Sequence, residues 1–308
     1  MNTPSSFQSK IKDLHGAEGQ RWLGGLPSLL DKYSQEWELR FELPSLELSY
    51  NFILPARRKN NQSVIFKAGF PSEVLNQEIQ ALRYFNGQGT VKLLEFNVND
   101  GVLLLERIEP GTSMRDFFNP GTDDDAIVIA ARVISLLQDQ KHPVPDSFDF
   151  PTLNERLNAL NKAYVAAEKG KAPFDLHLIQ TAIAGCQHLI DTTKTRVLLH
   201  GDLHQGNILR SSGETWVAID PHGVIGDPCF EVAAFVRNPT ALASSPNVAN
   251  ILKRRIDLFS QHLSMDKNRI WGWSFVQTLV ASWWVYEDHG DGWQAWHEMS
   301  QKLLKIKP

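Results

Sequence analysis

A chain of 308 residues with 42% hydrophobic and 21% charged side chains has the composition of a globular protein with room for two domains, which excludes disordered, collagen-like and disulfide-scaffold classes. Its 31 Lys and Arg against 35 Asp and Glu leave a net charge of −4, so no cationic surplus answers a phosphate backbone, and a nucleic-acid polymer is excluded as partner. Cys186 and Cys229 are too few and too far apart for a disulfide framework or a zinc ribbon, the amino terminus has no apolar leader core, and no stretch reaches the length of a bilayer-spanning helix. The expectation is a cytoplasmic protein with no membrane partner and no obligate protein partner.

Alternation of apolar and charged residues from Trp37 to Leu43 predicts a first strand, half buried. A second runs from Leu46 to Leu54, and Lys59-Asn60-Asn61-Gln62 reads as a hairpin tip before a third, Val64 to Lys67. Ser72 is a natural N-cap for a helix whose stripe is Leu75, Ile79, Leu82 and Phe85, and Asn86-Gly87 stops it. Two more strands, Val91 to Leu94 and Val102 to Glu106, flank the turn Asn99-Asp100-Gly101. The first third is therefore β-rich with one helix.

At Glu109-Pro110-Gly111 the pattern changes to helical period, over Ile127 to Leu137, Leu153 to Ala167 and Leu176 to Ile190. This predicts two domains, 1–109 and 110–308. One β-rich island interrupts the helices at 197–199, 207–209 and 216–219, with polar residues clustered on its loops. The tail returns to helices and holds Trp271, Trp273, Trp283, Trp284, Trp293 and Trp296, read as packing core.

The chemistry concentrates in His200-Gly201-Asp202-Leu203-His204-Gln205-Gly206-Asn207 and Asp220-Pro221-His222-Gly223. The spacing of Asp202, Asn207 and Asp220 resembles the protein-kinase catalytic loop H-R-D-L-x-x-x-N followed by a strand pair and an Asp-Phe-Gly turn. In that arrangement Asp202 accepts or orients the proton of a substrate hydroxyl, while Asn207 and Asp220 offer magnesium the hard oxygen ligands it requires. Lys67, ending the third strand, is the candidate for the nucleotide phosphates, with Glu78 on the next helix as its partner and Glu73 as the less favoured competitor. The segment Leu104 to Ile108, with Glu106 and Ile108, would meet adenine through backbone groups.

Together these segments resemble the aminoglycoside phosphotransferases, and within them the aminoglycoside/hydroxyurea antibiotic resistance kinases. The matching stretches are Gly19 to Leu23 with Leu26-Pro27, Glu78 to Leu94, Leu103 to Arg107 with Glu109-Pro110-Gly111, His200 to Leu209, and Ile219 to Pro239. The resemblance implies an α+β, protein-kinase-like two-lobed fold with a small antiparallel β-rich lobe and a larger helical one. It implies ATP and Mg2+ as cofactors and a small-molecule hydroxyl as acceptor. His200 would orient the catalytic loop, and Asp227 would brace it.

Gly201 stands where protein kinases often carry arginine, so the partner of an activation-loop phosphate is missing and a phosphorylation switch is not expected. The stretch from Leu46 to Phe52 lacks the G-x-G-x-x-G of protein kinases, which leaves Ser49 and Asn51 to contact the phosphates. Glu231 is open to capping or to substrate contact. If the substrate is a cationic aminoglycoside, Glu287 and Asp288, with Asp291, would form its acidic wall, although such a run is commonly a solvated helix end. The acceptors implied are streptomycin-like aminoglycosides or hydroxyurea, with an unrelated small metabolite as the alternative. Two readings from other classes are a metallophosphoesterase, whose further ligand sets the chain lacks, and a nucleotide-binding protein without turnover.

Overall fold

Phe7, Ile11, Leu26, Leu30 and Tyr33 recur three or four residues apart within the two arms of a long helix, α1 (Ser5–Glu36), and turn one face onto a sheet. Periodicity predicts no element before Trp37, because Gly16, Gly24, Gly25 and Pro27 interrupt the helical pattern. Gly16 is where the helix breaks, at φ 56°, a conformation that suits glycine. The computed structural model describes residues 3–42, 48, 50–117, 119 and 121–308. It divides into two compact units, Met1–Gly111 and Thr112–Pro308.

In the first unit the strands are β1 (Leu39–Phe41), β2 (Phe52–Arg58), β3 (Ser63–Ala68), β4 (Leu93–Asn97) and β5 (Val102–Glu106). They form one antiparallel sheet in the order β1-β2-β3-β5-β4. β1 is shorter than expected, since Trp37 caps α1 and Glu38 turns the chain at φ 52°. Ser49 and most of the stretch before β2 lie outside the described residues. Phe52, Leu54, Phe66 and Leu104 pack against the apolar face of α1, each fully buried side chain contributing about 1.5–3 kcal/mol. Between β3 and β4 lies α2 (Glu73–Phe85), whose Ser72 hydroxyl accepts the Leu75 N–H at 3.3 Å and whose end is turned by Asn86 at φ 47°.

The second unit is helical: α3 (Met114–Phe117), α4 (Asp123–Gln138), α5 (Asn154–Glu168), α6 (Leu176–Asp191), α7 (Val232–Arg237), α8 (Val248–Leu263), α9 (Lys267–His289) and α10 (Gln294–Lys305). Two ribbons interrupt them. One is β7 (Ile208–Arg210) with β8 (Trp216–Ala218), as expected; the other pairs β6 (Val197–Leu199) with β9 (Val224–Gly226), a strand the sequence reading did not place. α9 runs through the core with Trp273, Phe275, Val276, Leu279 and Val280 buried. Trp283 and Trp296 are buried too, so these tryptophans pack helices.

Arg255 of α8, fully buried, pairs with Asp123 at 2.8 Å and donates to the carbonyls of Phe235, Val236 and Asn238. These bonds satisfy the open C-terminus of α7 and fix the residue that ends it, Arg237.

Candidate active site

β6 delivers the chain into the segment that begins at His200. That side chain is fully buried; its Nε2–H donates to the Ile219 carbonyl at 2.8 Å and its Nδ1 accepts the Asp202 N–H at 3.3 Å, which fixes one neutral tautomer. Burial pushes its pKa down to about 4, so the ring stays neutral in ordinary use. Gly201 follows at φ 87°, where a Cβ would stand 3.0 Å from Val224. The His222 N–H donates to the His200 carbonyl at 2.8 Å, joining the two motif segments.

Asp202 emerges from this frame with its side chain one-quarter exposed. Arg237 Nη2 lies 3.6 Å from one carboxylate oxygen and His204 Nε2 3.6 Å from the other. Burial alone would raise its pKa, but the electrostatic pull of His204 and Arg237, followed by the His222 and His200 rings, outweighs it and holds the group below the usual carboxylate value. His204 Nδ1 accepts the Gly206 N–H, so the neutral ring turns an N–H toward Asp202.

Asn207 donates from its side-chain amide to the Asp202 carbonyl at 3.0 Å, which leaves the amide oxygen for another partner. The β7–β8 ladder and the Ile219 N–H bond to the Asn207 carbonyl, 2.9 Å, tie Asn207 to the stem of Asp220, which stands at φ 58°. An amide oxygen and a carboxylate are hard donors that suit magnesium completed by water and phosphate oxygens. Among the described residues no group of three or more His, Cys, Asp or Glu is arranged to hold a metal ion.

In the first unit, Lys67 Nζ and Glu78 Oε1 are 2.6 Å apart, both buried. β3 points the lysine inward between Ile53 of β2 and Leu103 of β5, and the stripe of α2 turns Glu78 to the same side. Glu73 is exposed at the start of α2 and takes no part. An ion pair this deep persists only where both charges are well partnered.

Residues 46–289 match the family described as aminoglycoside/hydroxyurea antibiotic resistance kinase. The chain belongs to this family. It is 30% identical to the streptomycin 6-kinase of Streptomyces glaucescens, over 92% of this chain and 91% of that one. It is 27% identical to the hydroxyurea phosphotransferase of Kitasatospora aureofaciens, over 89% and 77%. The fold matches the crystal structure of choline kinase LicA from Streptococcus pneumoniae with a TM-score of 0.63 at 17% identity, covering 92% of this chain and 99% of that one. The chain is thus a kinase-type small-molecule phosphotransferase with the family's β-rich small lobe and larger helical lobe.

The other candidates take the following positions. Of the two readings open for Glu231, the structure shows capping: the side chain is buried, and its two oxygens accept the N–H groups of His200 at 2.6 Å and Gly201 at 3.1 Å. Burial pushes its carboxyl up to about 7 against the pull of those two amides. Asp227 braces not the loop amides but the Cys229 N–H, Arg269 and Trp273 of α9. Glu231 has the bracing role that the resemblance gave to Asp227. Glu106 has its N–H committed to the Lys92 carbonyl and its carboxylate to the Lys92 N–H, so it offers no donor to adenine; Ile108, two residues on, is half-buried. Asn51 is half-buried beside Gly69, where a Cβ would come within 2.4 Å of its Oδ1. Glu287 and Asp288 are exposed at the end of α9, with Glu287 3.9 Å from Lys162.

Two residues near Asp202 were missed. Arg237 follows the apolar run Val232 to Val236, a signal that a cation is being carried inward, and Arg156 lies on a helix whose periodicity gave no hint of it.

Proposed function

We propose that this kinase moves the γ-phosphoryl group of ATP to a hydroxyl of a small molecule at Asp202. The observation that supports the reading is the presentation of Asp202: its loop is tied at His200 and Gly201, its carboxylate is kept ionised, and Asn207 holds its carbonyl. The acceptor oxygen forms the new P–O bond as the bond to the β-phosphate oxygen breaks; ADP leaves with the electron pair, and the acceptor's proton passes to Asp202. Lys67, held by Glu78, supplies positive charge to the nucleotide phosphates. Asn207 and Asp220 would hold Mg2+, which neutralises phosphate charge when bound. Ser49, Asn51 and the backbone around Ile108 complete the nucleotide contacts in this reading. With Cys186 and Cys229 both free and buried, a reducing cytoplasm suits the chain.

The relatives make streptomycin and hydroxyurea the acceptors to try first. A polycation calls for an acidic wall, whereas Glu287 and Asp288 form an exposed helix end and the cation Arg237 stands 3.6 Å from Asp202. That contrast favours the second acceptor reading, an unrelated small metabolite. An ADP-release assay with Mg2+ and ATP over a panel of hydroxylated acceptors tests the function. Acceptor-dependent release that Asp202→Ala abolishes is expected, and equal release by both proteins would overturn it.

A further inference from the structure

Between α6 and α9 the second unit holds an open cavity of 880 Å³, a size suited to a small-molecule site. Its lining includes none of Asp202, Asn207 and Asp220, so it stands apart from the candidate active site. The wall is mainly apolar and fixed in place. Trp271 and Phe275 contribute parallel rings, 4° apart in tilt with centres 6.0 Å apart, and Trp271 Nε1–H donates to the Leu303 carbonyl at 2.8 Å. Arg269 ties the first turn of α9 to the end of α6, donating to the Leu189 carbonyl at 2.8 Å and to the Thr192 and Thr193 hydroxyls at 2.8 and 3.0 Å. The helices touch at Gly272, where a Cβ would stand 3.0 Å from Leu189. One turn earlier on α6, a Cβ on Gly185 would meet nothing within 4 Å. Glycine weakens a helix interior, and packing does not require it here; what it yields is open volume over the aromatic wall.

The titratable residues of the lining are His188, Lys194, Asp227, Asp266, Arg269 and Lys307. Asp227 and Arg269 answer each other directly. Asp266 gives its carboxylate to the N–H groups of Asn268 and Arg269 that open α9, at 2.7 and 3.3 Å. Lys194 and Lys307 are exposed, and neither forms an ion pair among the described residues. The Lys307 ammonium lies 5.6 Å from the Trp271 ring centre, so its charge stands beside the aromatic wall. The charge still available to a ligand is therefore positive, and it borders an apolar surface that gains from being covered.

We infer that this cavity is a second small-molecule site, for a flat aromatic ring carrying one acidic group, with the ring against Trp271 and Phe275 and the acid toward Lys194 and Lys307. Parallel rings favour a planar ligand over a branched one, since offset stacking adds to the area buried. Such a ligand is distinct from both ATP and the acceptor, and the site stands whether or not Asp202 takes the acceptor's proton.

Calorimetric titration of the full chain with naphthoate, naphthalenemethanol and naphthylmethylammonium separates ring from charge, because the three probes share one ring system. One naphthoate per chain is expected, bound about three- to thirty-fold tighter than the alcohol, with the ammonium weakest. Its affinity should be the same in Asp202→Ala with saturating ATP and Mg2+. Gly185→Leu, whose side chain enters the open volume, should abolish binding at an unchanged melting temperature. Lys194→Met with Lys307→Met alters only exposed residues, so it folds whatever Gly185→Leu does, and it should bring naphthoate down to the affinity of the alcohol. No saturable binding of naphthoate, equal affinity for the three probes, or displacement of naphthoate by ATP would overturn the inference. So would a lysine variant that keeps the preference for naphthoate, or a folded Gly185→Leu that binds it as wild type does.

Discussion

Glu231 accepts the N–H of His200 at 2.6 Å, and its second oxygen accepts that of Gly201, so the first two peptide groups of the candidate catalytic loop hang from one buried carboxyl group. Glu231→Gln keeps the shape but replaces one accepting oxygen with a donor, leaving one amide N–H facing another N–H. The expected cost is about 1–3 kcal/mol of stability. Turnover should fall more than nucleotide affinity. Denaturant melts and steady-state kinetics on one preparation check both.

The same pair sets opposed pH dependences. His200 is pushed down to about 4 from 6.5, so the unfolded chain takes up its proton first; this contribution is complete above pH 6.5 and lost as the pH falls through 4. Glu231 is pushed up to about 7 from 4.5, so the native state holds its proton longer; this contribution is complete below pH 4.5 and lost as the pH rises through 7. Each is worth up to roughly 3 kcal/mol, and between 4.5 and 6.5 they oppose each other. Glu231→Gln should therefore expose a stability that climbs with pH over that interval relative to wild type. Parallel pH profiles for the two proteins would contradict it.

Lys67 and Glu78 form a buried pair at 2.6 Å. Lys67→Met removes the cation that faces Glu78 in this buried pair and is expected to cost about 3–5 kcal/mol as well as ATP-dependent turnover. The double change Lys67→Met with Glu78→Gln should regain much of the stability and none of the turnover. Chemical denaturation beside ADP release separates the two effects.

The layout of the candidate catalytic segment was legible because its spacing is local: Asp202, Asn207 and Asp220 sit on one loop and one ribbon, and the loop's registry is written in consecutive residues. Lys67 and Glu78 were legible because a strand and the helix after it each have a readable period. Glu231 was not, since a carboxylate that caps amides thirty residues earlier has no periodic signature. The same holds for Arg237 and Arg156, whose meaning comes from neighbours on other helices. α1 was hidden by its glycines and Pro27, where packing onto the sheet overrides weak local propensity. β9 is three residues long, and only its ladder with β6 makes it a strand.

Asp227 accepts from the Cys229 N–H and from Arg269 and Trp273, at 3.0, 2.8 and 2.7 Å. Asp227→Ala is expected to destabilise the second unit by about 3–5 kcal/mol, because it leaves the Arg269 charge and the Trp273 N–H without their acceptor. At a temperature where the variant stays folded, its KM for ATP should match wild type. A raised KM for ATP with unchanged stability would instead assign Asp227 to the site.

The most direct measurement is transfer of label from ATP carrying a radioactive γ-phosphate, with Mg2+, to an acceptor drawn from the panel, by wild type and Asp202→Ala in parallel. The account predicts a labelled, acid-stable product with wild type, a rate lower by about 10²–10⁴-fold with Asp202→Ala, and none when magnesium is chelated. Equal transfer by the two proteins, or label released only as inorganic phosphate whatever acceptor is present, would contradict it.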